Sequence, residues 1–293
     1  MANIYAIKAR IRGVESTQKI TRTMKLVSTS KLHQTQGQLY RLGSFADKCR
    51  QSLRLVLTGL EGEEDCPLLQ SRAVGRVCYV LFIGNRGLCG AYNTDVLRYL
   101  KGLLHREETE YFTVLCGRWS GEHRTDRELR VRQCFDDISD VPRPEECKAL
   151  SNYLQELYLS GEADRIVLVY QRREALGQKP CRFQLLPLEQ EEGESRGGDC
   201  IFEPDRQTLV NTLSRMYVDN SLMKVLLEAK VSEHFARMTA MTNATDNAEE
   251  LMRELSLSLN RTRQAKITTE ISEVVGGANA LRNGDSDGKR NDM

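Results

Sequence analysis

The sequence predicts an α/β protein in which two long helices, one at each end of the chain, pair antiparallel as a coiled coil around an inserted α/β domain. Residues 205–275 contain neither Gly nor Pro and carry apolar residues at helical spacing, and residues 2–60 contain no Pro and show the same spacing. Between them, short apolar runs alternate with helical segments. A long soluble helix needs a partner that covers its apolar stripe, so the two terminal helices are expected to cover each other.

The C-terminal helix is predicted over residues 205–281. Its apolar residues recur at three- and four-residue steps, and they include Leu222, Val225, Leu226, Ala229, Ala236, Met241, Leu251, Leu255, Leu259, Ile267, Ile271 and Val274. A pattern this long is typical of a coiled coil, a membrane span or a helical repeat. Frequent charges, among them Glu228, Lys230, Glu233 and Arg237, exclude a membrane span.

The N-terminal helix is predicted over residues 1–60. Gly13, Gly37 and Gly43 each weaken it by about 1 kcal/mol relative to Ala without removing the pattern. Polar residues interrupt the apolar seam of both helices, namely Gln18, Thr21, Ser28, Asn243, Ser258 and Thr262. We therefore expect polar positions to specify the register of the pair.

The inserted domain is predicted over residues 61–204. Apolar runs predict strands at residues 77–83, 112–116, 166–170 and 182–188, and helical spacing predicts helices at residues 93–104 and 144–159. Strands that alternate with helices indicate a mostly parallel sheet.

Composition restricts the classes of function. A net charge of +1 over 293 residues argues against general nucleic-acid binding, although the N-terminal helix is locally basic. The nine cysteines form no CxxC pair and have no His at ligand spacing, so no metal or other cofactor is expected, and the thiols are interpreted as reduced and packed as small hydrophobes. We found no stretch long enough to span a membrane and no apolar signal block, so the protein is expected to work where it is made.

One glycine-rich loop, residues 84–90, follows a predicted strand and precedes a helix, as a phosphate-binding loop does. It matches neither GxGxxG nor GxxxxGK[ST], so a tight turn with positive φ is the preferred interpretation. Arg86 and Cys89 are then surface contacts rather than catalysts. The four histidines do not cluster with Ser, Cys or Asp in sequence, and no catalytic residue is predicted.

Three separated segments carry a family resemblance. They are residues 7–31 with the run STQKITRTMKLV, residues 85–93 with NRGLCGAYN, and residues 233–281 with ARMTAM, ATDNA, NRTRQA and ISEVVGGA. In this order they resemble the gamma subunit of F-type ATP synthases. The resemblance is strong at both termini, whereas the middle matches mainly in the order of its elements.

The resemblance implies a non-catalytic rotary shaft without a cofactor. In the family the coiled coil turns inside a ring of alternating alpha and beta subunits, and a Rossmann-like domain at its foot contacts epsilon and the membrane c-ring. Rotation couples transmembrane proton or sodium flow to ATP synthesis or hydrolysis at the beta subunits. The protein is thus expected at the cytoplasmic face of a bacterial cell membrane, peripheral and not inserted.

The resemblance also implies which side chains contact the ring. They are Arg22, Met24, Lys25, Arg86, Cys89, Arg261, Arg263, Gln264 and Thr268. Lys266 and Thr269 depart from the family pattern on the same helix. Residues 282–293 extend beyond the family's usual end, and their composition predicts a disordered polar tail.

Two other classes of function were weighed. One is a non-rotary coiled-coil adaptor with an α/β domain, which would not copurify with alpha and beta subunits at one copy per three pairs. The other is a nucleotide- or cofactor-binding α/β enzyme, which would bind a ligand saturably on its own. Neither explains three family motifs in the family's order.

Overall fold

The computed structural model describes residues 4–57, 66–118, 126–174, 177–188 and 202–288. The elements, in chain order, are α1 (Ile4–Leu57), β1 (Arg76–Phe82), α2 (Tyr92–Leu104), β2 (Glu110–Cys116), β3 (Val131–Phe135), α3 (Pro144–Leu159), β4 (Arg165–Glu174), β5 (Gly177–Leu186) and α4 (Arg206–Gly288). The predicted fold class, two long terminal helices with an inserted α/β domain, is confirmed. The chain forms two compact units, which divide α1 after Met24 and α4 before Met241.

The smaller unit contains the N-terminal part of α1 and the C-terminal part of α4, and it is a helix pair. Thr21 Oγ1 lies 2.8 Å from Thr245 Oγ1, and Gln18 Nε2 donates to Glu249 Oε1 at 3.0 Å. Partner numbers rise on α4 as they fall on α1, so the pair is antiparallel, as predicted. Both threonine side chains are buried, which agrees with a register specified by polar residues.

The larger unit is built on a five-stranded sheet with the order β3-β2-β1-β4-β5. The first four strands are parallel, and β5 pairs antiparallel with β4. The mostly parallel sheet is therefore confirmed. The fourth predicted strand, residues 182–188, was placed too late, because β5 begins at Gly177. It turns back directly from β4, and such a short connection joins antiparallel neighbours only.

β3 was not predicted. It lies at one edge of the sheet and its side chains are mostly exposed or half-buried, including Arg132 and Gln133. A central strand is buried on both faces, and its sequence is therefore a continuous apolar run. An edge strand lacks that signal.

Helices cover both faces of the sheet. Val77, Tyr79 and Leu81 point toward α2, in one core cluster with Val96 and Leu100. The alternate residues of β1, among them Val80, pack in the other cluster, which contains side chains of α3, of α1 and of the N-terminal part of α4. This two-sided burial explains why β1 is continuously apolar.

The long helices differ from the predicted bounds at their ends. α1 is described as far as Leu57, and residues 58–65 lie outside the described residues. α4 begins after Asp205, whose Oδ1 accepts a hydrogen bond from Thr208 N at 2.8 Å and so caps the first turn.

At its other end α4 continues to Gly288, beyond the predicted end at Leu281. Residues 282–288 of the predicted polar tail are therefore helical, and the disorder of the tail stays a prediction. Extending an existing helix adds one hydrogen bond for each residue fixed, so a polar composition alone does not end it. Residues 289–293 lie outside the described residues. Among the helices the structure describes, none carries an apolar stretch long enough to cross a membrane.

Candidate functional site

Residues 263–278 of α4 form a helix surface that the described remainder of the chain leaves exposed. Every residue from Arg263 to Ala278 is exposed. Ile267, Ile271 and Val274 follow at steps of four and three residues and so form one stripe along the helix, with Val274 72% exposed. An apolar stripe of this kind indicates a surface that meets a partner.

Two of the predicted contact residues border this stripe. Arg263 precedes Ile267 by four residues, and Gln264 precedes Ile267 by three, so both side chains start beside it. Arg261 and Thr268 are exposed as well, and they lie on the helix face next to Gln264. The hydroxyl of Thr268 donates to the carbonyl oxygen of Gln264 at 3.0 Å, so it is turned toward its own helix.

The predicted contact residues of α1 are less uniformly accessible. Arg22 is exposed, whereas Met24 and Lys25 are half-buried. Large apolar side chains next to them in sequence are also exposed, including Leu26 at 65%. α1 thus presents a mixed basic and apolar surface at this level.

The glycine-rich loop after β1 is a tight turn, as predicted. Leu88 and Gly90 adopt positive φ values of 60° and 59°. Arg86 is exposed, in agreement with its predicted role as a surface contact. Cys89 is not, because only 3% of it is exposed.

The prediction that Cys89 is a surface contact is therefore wrong. Its thiol lies beneath the turn, 3.7 Å from the carbonyl oxygen of Arg86 to which it donates. Burial raises the pKa of the Cys89 thiol, so it remains protonated and packs as a small apolar group.

A buried ionic cluster holds this loop against α4. Glu233 is 0% exposed, and its Oε2 accepts from Lys230 Nζ at 2.9 Å while its Oε1 accepts from Arg237 Nη2 at 2.7 Å. Burial would raise the pKa of Glu233, but the charges of Lys230 and Arg237 outweigh burial and hold it below its ordinary value. Glu233 is thus a carboxylate within a closed charge cluster.

The same cluster reaches the loop backbone. Arg237 Nη2 donates to the carbonyl oxygen of Arg86 at 3.0 Å, and Asn85 N donates to Glu233 Oε1 at 3.3 Å. Gly84 permits this approach, because a Cβ there would lie 3.2 Å from the Glu233 carboxylate. Glycine at this position therefore serves close contact between the loop and the helix.

A second set of contacts joins the segment after β3 to the same place. Asn85 Nδ2 donates to Asp140 Oδ1 at 3.1 Å, Lys31 of α1 forms an ion pair with Asp140, and His234 Nε2 lies 2.7 Å from the carbonyl oxygen of Asp140. A carbonyl only accepts, so Nε2 carries the proton. Burial lowers the pKa of His234, and the imidazole is therefore neutral at pH 7. Burial opposes ionisation of Asp140, but hydrogen bonds from Lys31 and Asn85 hold its pKa far below the ordinary value.

Together these contacts form what we call the anchor cluster, which consists of Lys31, Asn85, Asp140, Lys230, Glu233, His234 and Arg237. It ties α1, the loop after β1, the segment after β3 and α4 to one another. In the sequence, Lys230, Glu233 and Arg237 served only to exclude a membrane span. The one available signal was the i,i+4 spacing of Glu233 and Arg237, which does not distinguish an exposed pair from a buried one.

The described part of the chain does not bring metal ligands together. No group of three or more His, Cys, Asp or Glu side chains there could hold a metal ion. The described cysteines are free, and most are buried. Burial raises the pKa of Cys147 to about 12, for example, which leaves its thiol unreactive at neutral pH.

Comparison with known proteins places the chain in a family. The family model described as ATP synthase matches residues 3–281. The ATP synthase gamma chain of Moorella thermoacetica is 38% identical over 283 residues, covering 96% of this chain and 100% of the relative. That of Trichormus variabilis is also 38% identical, over 314 aligned positions, with the same coverage.

Solved structures agree on the fold. A chain of the Euglena gracilis mitochondrial ATP synthase, in an OSCP/F1/c-ring structure in rotational state 3, matches with a TM-score of 0.67 and 22% identity, covering 96% of this chain and 95% of that one. A chain of the rotor of the same enzyme in rotational state 1 matches with a TM-score of 0.64. Because the family model and relatives 38% identical both span nearly the whole sequence, the chain belongs to the ATP synthase gamma-chain family.

Proposed function

We propose that this chain is the central rotary shaft of an F-type ATP synthase, which couples transmembrane proton or sodium flow to ATP synthesis or hydrolysis at beta-subunit sites. The observation that carries the proposal is the stretch of α4 from Arg263 to Ala278, where the described residues leave an apolar stripe bordered by Arg263 and Gln264 exposed. The gamma chains that this chain is similar to are named as parts of ATP synthases, and this supports our assignment of a ring of alpha and beta subunits as the occupant of that surface.

The chemistry of this surface suits a contact that must form and break. The stripe is narrow, and Arg261, Arg263 and Gln264 provide polar groups around it. Surface ion pairs and polar contacts contribute about 0–1 kcal/mol each, so no single orientation would be held strongly. A broad apolar interface would instead fix the shaft in one position.

We assign the ring contacts to the predicted residues that the structure leaves accessible. These are Arg22, Met24, Lys25, Arg86, Arg261, Arg263, Gln264 and Thr268. Cys89 does not belong to this group, because its thiol packs beneath the loop that carries Arg86. Its role is to support the turn that presents Arg86.

In this proposal the anchor cluster transmits torque between the α/β domain and α4. Torque that enters through the α/β domain must reach α4, and Glu233 binds both the helix cations and the loop backbone. Removing one partner of a buried ion pair costs about 3–5 kcal/mol, so the attachment resists opening. We assign epsilon and the c-ring as partners of the α/β domain, and catalysis to the beta subunits rather than to this chain.

The proposed location is the cytoplasmic face of a bacterial cell membrane, as a peripheral part of the complex. Gamma chains of bacteria are among the relatives that match over their full length, which supports this assignment.

Purification of the native complex through a tag on this chain tests the proposal. We expect alpha and beta subunits to copurify at three pairs per copy of the chain, with ATP hydrolysis in the complex and none in the isolated chain. A chain that copurifies without alpha and beta, or in equal numbers with them, would be an adaptor instead. Saturable nucleotide binding by the isolated chain would favour the enzyme alternative.

A further inference from the structure

Leu88, at the tip of the glycine-rich loop, is unusual in two independent respects. Its backbone has a positive φ of 60°, in a region where the Cβ of a residue other than glycine is crowded. Its side chain is 63% exposed, although leucine is among the side chains that gain most from burial. The loop thus holds a leucine in an unfavourable backbone conformation and presents its side chain to solvent.

Contacts beneath the loop impose this conformation. Arg237 donates to the carbonyl oxygens of the two residues before Leu88, at 3.0 Å and 3.4 Å. On the other side of Leu88, the Cys89 side chain is buried and the Cys89 carbonyl oxygen accepts from Tyr92 N at 3.3 Å. Backbone strain persists only where the surrounding structure over-determines it. The tip therefore has a fixed shape, and a partner that binds it loses little conformational entropy in ordering it.

The surroundings of the tip are open and carry exposed positive charge. A Cβ at Gly87 would meet nothing within 4 Å, so space is free beside the tip. Arg86 is the one charged residue of the loop, and it is exposed. A second exposed arginine, Arg118, lies near the loop, because its backbone N donates to Asn85 Oδ1 at 3.3 Å. An apolar side chain therefore stands among exposed cations.

The carboxylates that contact the loop are already used inside the protein. Glu233 is 0% exposed and is paired with Lys230 and Arg237. Asp140, which accepts from Asn85, is paired with Lys31 of α1. These carboxylates do not offset the exposed arginines. The surface around the tip is thus complementary to a partner that carries carboxylates.

We propose that Leu88 is the apolar anchor of a contact with the ring, and that the ring segment it meets has an apolar surface beside carboxylates. The proposal rests on the shaft function proposed above, which supplies the ring as partner. A few buried anchors surrounded by polar contacts provide most of the binding energy of an interface. Arg86 and Arg118 face the carboxylates of the segment. Arg237 is a positioning residue, since it is buried and acts through the loop carbonyl groups.

Titration of the labelled full-length chain with a ring assembled from alpha and beta subunits tests the proposal. Leu88→Asn removes the apolar side chain, and asparagine adopts positive φ more readily than leucine. We expect the dissociation constant to rise about tenfold or more, as the loss of a buried leucine predicts. The purified variant should be at least as stable as wild type in urea. Leu88→Met keeps an apolar side chain of similar volume and should retain the wild-type affinity.

Two further variants make the test specific. Leu55→Asn is the matched control, because Leu55 is 53% exposed but lies in the regular helix α1. It should leave the affinity for the ring unchanged. Arg86→Gln tests the carboxylates of the partner, because charge pairs are screened by salt. The affinity of Arg86→Gln should depend less on salt concentration than that of wild type.

Wild-type affinity in Leu88→Asn would overturn the proposal. A parallel loss of stability and affinity would also contradict it, because Leu88 would then be a structural residue of the turn. An unchanged salt dependence in Arg86→Gln would exclude the carboxylates. If Leu88→Asn lost epsilon from the complex but bound the ring normally, the tip would meet epsilon and the assignment to the ring would be wrong. A wild-type chain that does not bind the ring would instead refute the shaft function itself.

Discussion

Two stretches of α4 carry charged residues at the same three- and four-residue steps, yet the structure uses them in opposite ways. Between Lys230 and Arg237 the charges are buried, paired and bonded to the loop after β1. Between Arg263 and Ala278 every residue is exposed. Spacing alone therefore does not distinguish a charged residue that fixes the helix within the protein from one that contacts a partner. The elements packed around the residue determine which of the two it is.

The largest effect on stability is expected at Glu233. Glu233→Ala leaves Lys230 and Arg237 buried without their shared carboxylate. We expect a loss of about 3–5 kcal/mol in the free energy of unfolding, because an unpaired buried charge is costly. Urea denaturation of the purified chain measures it.

Glu254→Ala provides the control, since Glu254 is an exposed carboxylate on the same helix. Its expected effect is within about 0.5 kcal/mol. Equal losses in the two variants would show that burial of Glu233 does not increase the loss in unfolding free energy when the carboxylate is removed.

A smaller effect is expected at Gly84. A Cβ at this position would lie 3.2 Å from the Glu233 carboxylate and 3.2 Å from Asn93 Oδ1. Gly84→Ala should therefore push the loop from the helix and destabilise the unit by about 1–3 kcal/mol, as overpacking does. The same denaturation experiment measures the loss.

Gly87→Ala is the matched control in the same loop. A Cβ at Gly87 meets nothing within 4 Å, so we expect a change within about 0.5 kcal/mol. If Gly84→Ala were equally harmless, close contact between loop and helix would not be what requires glycine there.

Acid should weaken the buried region through His234. Burial lowers its pKa below the ordinary 6.5, so the unfolded chain binds a proton more readily than the folded one. This contribution to stability is full above pH 6.5 and is lost as pH falls through the folded-state pKa. Glu233 and Asp140, whose pKa values are also lowered, add losses of the same sign below their ordinary values of 4.5 and 3.8.

His234→Gln should therefore flatten the dependence of stability on pH between 6.5 and 5, where wild type loses at most about 1.4 kcal/mol per pH unit from this group. Unfolding free energies measured across that range provide the test. His33→Gln, at an exposed histidine of α1, should keep the wild-type slope. An unchanged slope in His234→Gln would mean that this imidazole is free to take up a proton in the folded chain.

The sequence predicted the features that depend on local pattern. β1 is continuously apolar from Val77 to Phe82 because both faces of the sheet are covered, and the long terminal helices follow from their spacing. The features that depend on distant contacts were missed. Asp140 lies far in sequence from Lys31, and nothing near Cys89 shows that the turn closes over it. β3 was missed because an edge strand does not need apolar residues on both faces.

The smallest effect on stability, and the most specific effect on function, is expected at the exposed end of α4. Arg263→Ala with Gln264→Ala removes two exposed side chains, so stability should change by less than about 0.5 kcal/mol. In the assembled complex the same variant should lower the turnover of ATP hydrolysis or weaken its coupling to ion flow. Each polar contact with the ring contributes about 0–1 kcal/mol, so the expected reduction in turnover or coupling is moderate.

Thr269→Ala with Glu273→Ala is the matched control, because both residues are exposed and lie on the helix side opposite Gln264. Turnover and coupling are measured in membrane vesicles with the three complexes at equal assembly. If the two double variants behave alike, the helix face that carries Arg263 and Gln264 is no more important for contact with the ring than the opposite face. If only the first is impaired, the uncovered end of α4 acts through one face, in contrast to the buried stretch around Glu233, where contacts from several elements hold the helix.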